Sequence, residues 1–132
     1  MVHPTILIVE DHDALRKSLR NWLDITLPDC QFLEAQTGEE AVALVDAQLP
    51  DVVLMDISLP GMDGIEATRR IKAIAPKTSV VMISVYEEQV FQTNAAAAGA
   101  SAFVCKLMMD TALVPIIQTL LSREEIGDQV AG

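Results

Sequence analysis

Asp56 is a lone carboxylate at the end of the apolar run Val52-Val53-Leu54-Met55, followed within three residues by the turn-rich Leu59-Pro60-Gly61-Met62-Asp63-Gly64. A carboxylate pair, Glu10-Asp11, ends another such run, Thr5-Ile6-Leu7-Ile8-Val9. Two more runs deliver different chemistry: Ser79 to Ile83 leads to the Ser84 hydroxyl, and Ala102-Phe103-Val104-Cys105 to the Lys106 ammonium. Short apolar runs bounded by turn signals predict strands buried on both faces. Open α/β sheets carry their chemistry at the carboxyl edge of such strands. Three carboxylates, a hydroxyl and an ammonium would then share one crevice. Unpaired carboxylates repel one another, so a cation must enter or some must take up protons. A site with few protein oxygen donors suits Mg²⁺, which keeps waters and favours a phosphate oxygen. A carboxylate can also be a nucleophile and form an aspartyl-phosphate. Phosphoryl transfer needs mainly positioning and charge neutralisation, which Mg²⁺ and Lys106 could supply.

The elements between these runs must bring the groups together. Leu15, Leu19, Trp22, Leu23 and Thr26 recur with helical spacing and predict the inner face of a first helix, with Arg16, Lys17 and Arg20 pointing away and Asp13 as N-cap. Pro28-Asp29 ends that helix, and Gln31 to Ala35 predicts a second strand. Thr37-Gly38-Glu39-Glu40 is a capping box for a helix running to about Gln48, with Ala41, Leu44 and Val45 inward. Asp63-Gly64-Ile65-Glu66 opens a third helix that ends before Pro76. Glu87 to Ala98 predicts an Ala-rich fourth helix closed by Gly99. Leu113, Ile116, Ile117, Leu120 and Leu121 mark a fifth, in which Pro115 predicts a late start or a bend. Five strands alternating with five helices imply a parallel sheet with right-handed crossovers and helices on both faces. Residues 1–122 are predicted to form one domain, and 123–132 a flexible tail or the start of a linker.

Bulk properties narrow the class. The 132 residues are 51% hydrophobic and 21% charged, which is globular rather than disordered. No apolar run approaches the roughly 20 residues that span a bilayer. Met1-Val2-His3-Pro4 has no export-signal pattern, so a cytoplasmic location is expected. Cys30 and Cys105 lack metal-ligand spacing and are expected as free thiols. A formal charge of −10 argues against direct contact with nucleic-acid phosphates and suits a protein that binds a cation or basic partners.

In these features, from about Thr5 to Leu121, the chain resembles the receiver domains of two-component response regulators. The family's acidic pair matches Glu10 and Asp11, its phospho-acceptor matches Asp56, and its hydroxyl after the fourth strand matches Ser84. Its switch aromatic matches Phe103 and its lysine matches Lys106. The resemblance implies a three-layer, doubly wound, flavodoxin-like fold with strand order 2-1-3-4-5. It implies phosphoryl transfer from a histidine kinase to Asp56, a signalling role and not that of an enzyme acting on outside substrates. Mg²⁺ would be held by Glu10, Asp11 and Asp56 and by the Ser58 carbonyl. Lys106 would pair with the phosphoryl group, Ser84 would swing toward it, and Phe103 would turn inward to remodel the face of helix four, strand five and helix five. Phosphorylation-driven homodimerisation through that face follows as an expectation. The first helix, with Arg16, Lys17 and Arg20, would dock the kinase.

Thr5 to Leu15 and Ser84-Val85-Tyr86-Glu87-Glu88 look most like receivers of the NarL/LuxR type, which control transcription through a DNA-binding module after a linker. DNA contact is expected only through such an output module; the alternative is a stand-alone receiver working through protein contacts. Departures from the family are Glu10 for the commoner Asp, Ser84 for Thr, and Leu107 where many members carry Pro. A cis bond at Lys106-Leu107 would cost about 2.5–4 kcal/mol without proline. Tyr86, two residues past Ser84, is expected to shield the phosphoryl group and slow its hydrolysis, while His12 is expected at the rim. The rival from another class is a haloacid-dehalogenase-type hydrolase with Asp11 as nucleophile, Asp13 as general acid, and Ser84 and Lys106 in support. It would require Thr or Val where Leu15 stands, and would leave Asp56 without a purpose.

Overall fold

Alternate residues of each strand feed two separate cores. Strands β1 (Thr5–Val9), β2 (Gln31–Ala35), β3 (Val52–Asp56), β4 (Ser79–Ser84) and β5 (Ala102–Cys105) are all parallel and lie in the order β2-β1-β3-β4-β5. Between and after them run helices α1 (Asp13–Thr26), α2 (Gly38–Gln48), α3 (Gly64–Ile74), α4 (Gln89–Ala98) and α5 (Met109–Ala131), with a 3₁₀ turn at Lys106–Met108. This computed structural model describes the backbone of residues 3–131 and the side chains of residues 3–123. The predicted doubly wound fold and strand order are those observed.

Leu7, Val9, Val53, Met55, Val80 and Met82 pack against Ala41 and Val45 of α2, Ala67 and Ile71 of α3, and Ala95 of α4. Their neighbours Ile6, Ile8, Val52, Leu54, Val81 and Ile83 pack on the opposite face, against Leu19 and Leu23 of α1 and Leu113 and Ile117 of α5. A fully buried side chain of this size contributes about 1.5–3 kcal/mol of transfer free energy. A one-residue slip of any strand would exchange its two faces, so the register is firmly set. Val9 lies level with Ala35 and Met55, and Asp56 lies level with Ile83, so the carboxyl ends form one edge.

Turn chemistry fixes where the helices begin. The Thr37 hydroxyl accepts from Glu40 N at 3.1 Å and the Asp63 carboxylate accepts from Glu66 N at 2.8 Å. The reciprocal half of the capping box falls one residue early, with Glu40 accepting from Gln36 N at 3.5 Å. α4 ends at Gly99 (φ 106°), and α2 ends at Leu49 (φ 48°), a left-handed conformation that costs a non-glycine residue roughly 1 kcal/mol or more.

Several predicted details are corrected. Arg16 does not point away from the core but is buried, 5% exposed. Its guanidinium reaches back to the loop that ends β1. On the same helix Thr26 is exposed, its hydroxyl bonded to the Trp22 carbonyl, and Leu27 supplies the buried contact instead. The N-cap of α1 is His12, without a side-chain cap bond, and Asp13 is the first helical residue. α4 starts at Gln89 rather than Glu87. α5 starts at Met109 and continues through Pro115, whose missing N–H leaves only the Thr111 carbonyl without its helical donor. The peptide bonds are trans among the described residues, including Lys106–Leu107. The backbone of the predicted tail continues α5 to Ala131, while its side chains beyond Arg123, and Gly132, lie outside the described residues.

Candidate functional site

Strand parity decides which groups meet. Glu10 follows Ile6 and Ile8, Asp56 follows Val52 and Leu54, and Lys106 follows Val104, all residues of the core beneath α1 and α5. The three side chains therefore leave the sheet edge on the same side. Lys106 Nζ donates to Glu10 Oε1 at 3.0 Å and to Asp56 Oδ2 at 3.3 Å. Both carboxylates are nearly enclosed, with Glu10 4% and Asp56 5% exposed. Their second oxygens accept backbone amides: Glu10 Oε2 from His12 N at 3.3 Å, and Asp56 Oδ1 from Ser58 N at 3.2 Å. No buried side-chain polar atom lacks a partner among the described residues.

One ammonium thus serves two buried carboxylates, with Asp11 beside them. Burial raises the pKa of Glu10, the Asp56 charge raises it further, and the Lys106 bond only partly offsets this. Burial alone would depress Lys106, but its bond to Glu10 and the charges of Asp56 and Glu10 hold it above the ordinary lysine value. The cluster has an excess of negative charge. A carboxylate oxygen of Glu10, one of Asp11 and a ring nitrogen of His12 lie within 4.8 Å of one another. Glu10 is buried and Asp11 partly exposed, and carboxylate oxygens in excess of the neighbouring positive charge are the donor type of a hard divalent cation; Asp56 is not part of this three-residue group. His12 is largely exposed, with Nδ1 3.6 Å from Asp11 Oδ1, so a residue expected only at the rim also offers a ring nitrogen to the group.

Ser84 and Phe103 follow the other parity. Ser84 is fully buried at the same edge, and its Oγ accepts from Tyr86 N at 2.9 Å. Phe103, level with Met82, is half-buried against the α2–α3–α4 core. The Tyr86 ring stacks on Phe91 of α4 at a centroid distance of 4.9 Å. The β3–α3 loop is gripped from two sides. The Glu39 carboxylate accepts from Met62 N at 3.0 Å, and a Cβ on Gly64 would lie 2.2 Å from the Asp56 carbonyl oxygen. Only glycine allows α3 to start so close to the end of β3.

Of the expected residues, Glu10, Asp56 and Lys106 are brought into direct contact, Ser58 lies beside Asp56, and Asp11 joins the group through Glu10 and not through Asp56; Ser84 and Phe103 share the parity of the adjoining face. Helical periodicity missed Arg16, which donates to the Glu10 carbonyl at 2.9 Å. The Asp13 and Glu34 carboxylates that bury it were the available signal. Asp13, the general acid of the hydrolase alternative, bonds Arg16 Nη2 at 2.7 Å, which lowers its pKa. A general acid needs the opposite shift.

Comparison with known proteins gives one family. Residues 6–118 match the model described as "Response regulator receiver domain". The chain is 34% identical over 128 residues to the response regulator GacA of Pseudomonas aeruginosa, covering 96% of this chain and 59% of that protein. It is 32% identical over 116 residues to the transcriptional regulatory protein DegU of Brevibacillus brevis, covering 87% of this chain and 49% of that one. The chain spans about half to three fifths of the curated relatives it matches. Among solved structures, a LuxR-family two-component response regulator from Aurantimonas superposes with a TM-score of 0.86 at 29% identity, covering 99% of this chain and 100% of that one. A CheY-like receiver domain from Methanospirillum hungatei gives a TM-score of 0.84 at 26% identity, covering 94% and 98% of the two chains. Strand order, edge chemistry and these matches agree: the chain belongs to the receiver domains of two-component response regulators.

Proposed function

We propose that Asp56 is the phosphoryl acceptor of a histidine kinase and that the domain switches its α4–β5–α5 face in response. The observation that carries this is the Lys106 bridge between two enclosed carboxylates that together exceed its charge. An Asp56 carboxylate oxygen attacks the phosphorus of a phosphohistidine; the P–N bond breaks, and the departing imidazole nitrogen takes the electron pair and a proton. Glu10, Asp11, Asp56 and the Ser58 carbonyl would hold Mg²⁺, which when bound offsets charge on the phosphoryl oxygens. Lys106, already at Asp56, would transfer its hydrogen bonds to the phosphoryl group. The Ser84 hydroxyl would leave Tyr86 N to bond it, and Phe103 would move into the space on the face it shares with Ser84. A phosphoryl group shifts such an equilibrium only through its different contacts in the two states. Tyr86, stacked on Phe91, would shield the acyl phosphate from water.

The output is proposed to be transcription control. The relatives are response and transcriptional regulators by name and are longer than this chain, so DNA would be contacted through an output module, with homodimerisation through the switched face. No helix among the described residues is long and apolar enough to cross a membrane, in keeping with action in the cytoplasm. The test is incubation with Mg²⁺ and acetyl phosphate followed by hydroxylamine, which converts an acyl phosphate to a hydroxamate. A hydroxamate at Asp56, lost when EDTA replaces Mg²⁺, is expected. A hydroxamate at Asp11 with Asp56 unmodified would refute the assignment.

A further inference from the structure

We infer that Arg16 is a positioning residue for the acidic loop: by holding the Glu10 backbone it keeps Glu10 and Asp11 where they can ligate a divalent cation. The inference rests on the proposed function and extends it to a residue outside the charge cluster. Asp13, Ala14, Lys17 and Ser18 around it on α1 are exposed, yet Arg16 is 5% exposed. Burying a guanidinium costs several kcal/mol unless it is paired and hydrogen-bonded. All three of its nitrogens are used: Nη1 donates to the Glu10 carbonyl at 2.9 Å, Nε to Glu34 Oε1 at 2.9 Å, and Nη2 to Asp13 Oδ1 at 2.7 Å. Arg20 Nη1 fixes the other oxygen of Glu34 at 2.6 Å.

Glu34 lies in β2, level with Ile8, so this network ties α1 and β2 to the first residue after β1. On its other side Glu10 N donates to the Ala35 carbonyl at 3.1 Å. The Glu10 backbone is thereby held at both its N–H and its C=O, just before Asp11 and His12. The charge of Arg16 is matched by Asp13 and Glu34, and its contact with Glu10 is to the carbonyl and not the carboxylate. Its removal should therefore change the geometry of the ligands and leave the charge balance around Lys106 in place. Lysine cannot reproduce three divergent planar contacts, so Arg16→Lys should behave like a loss.

The experiment measures Mg²⁺ binding by calorimetry, and amide hydrogen exchange in EDTA, on the parent, Arg16→Met, Arg16→Lys and the exposed control Lys17→Met. Removing an outer support of a metal site typically weakens binding about 10–100-fold, and a loss of that order is expected for both Arg16 variants but not for Lys17→Met. Exchange at Asp11 and His12 should quicken without metal. Acetyl-phosphate labelling at saturating Mg²⁺ should stay near the parent rate. Parent-like Mg²⁺ affinity in a folded Arg16→Met, or a labelling defect that Mg²⁺ cannot restore, would overturn the inference and leave the proposed function standing. Should Arg16→Met fail to fold, Glu34→Gln must show a smaller loss in the same direction, and unchanged affinity there overturns it equally. A parent that binds no Mg²⁺ would refute the proposed function and this inference with it.

Discussion

Replacing Lys106 with Met removes the one cation between two enclosed carboxylates. At an effective dielectric constant of 20, separations of 3.0 and 3.3 Å correspond to roughly 5 kcal/mol of attraction each, before desolvation is subtracted. Several kcal/mol of that are offset by the burial of the ammonium, which is 20% exposed. Stranding a buried partner typically costs about 3–5 kcal/mol, and the protein can limit the loss by protonating one carboxylate. Lys106→Met should therefore lose about 2–4 kcal/mol near neutral pH, read as a lower midpoint of urea unfolding by circular dichroism. Glu10 already has a raised pKa, and without Lys106 it should rise further. The deficit should accordingly shrink as pH falls and Glu10 takes up its proton. Millimolar Mg²⁺, which replaces the missing positive charge, should restore part of it. A neutral-pH stability equal to the parent's, or a deficit indifferent to both pH and Mg²⁺, would show that Lys106 does not balance this pair.

Three further outcomes are expected. Gly64→Ala sets a methyl 2.2 Å from the Asp56 carbonyl, so unfolding measurements should show a loss of at least about 1–3 kcal/mol, together with slower Asp56 labelling. The pKa of Glu34 is lowered: its burial alone would raise it, but the Arg20 and Arg16 bonds prevail, so its stabilisation is present above the ordinary glutamate value of about 4.3 and is lost as pH falls through the folded value. Glu34→Gln should consequently flatten the acid limb of the stability profile. Tyr86→Ala should shorten the phosphoryl lifetime, followed by intact mass over time, and an unchanged lifetime would remove its shielding role.

The fold and the four chemistry-bearing strand ends were legible because each strand is short, apolar and bounded by turn residues. All of their groups were expected in one crevice; the parity seen in the structure sets Glu10, Asp56 and Lys106 on one side and Ser84 on the other. The resemblance supplied what spacing alone could not: the strand order and the separation of acceptor from switch. Arg16 was misplaced because a one-helix pattern cannot see β2; its burial depends on Glu34, 18 residues away. Asp13 has the type of an N-cap, but Arg16, one turn on, claims its carboxylate. Pro115 suggested a late start or a bend because proline disfavours helix interiors; the helix starts at Met109, before the proline, and the Leu113, Ile117 and Leu120 stripe overrides that local preference. No sequence rule exposes the fit of Gly64 against the Asp56 carbonyl, since it depends on how closely α3 approaches β3.

Phosphorylation of Asp56 is tested most directly by intact-mass spectrometry after incubation with Mg²⁺ and acetyl phosphate, on the parent, Asp56→Asn and Asp11→Asn. One phosphoryl group on the parent and none on Asp56→Asn is expected, with labelling of Asp11→Asn restored by higher Mg²⁺. Labelling that persists in Asp56→Asn and vanishes in Asp11→Asn would contradict the assignment of Asp56 as acceptor.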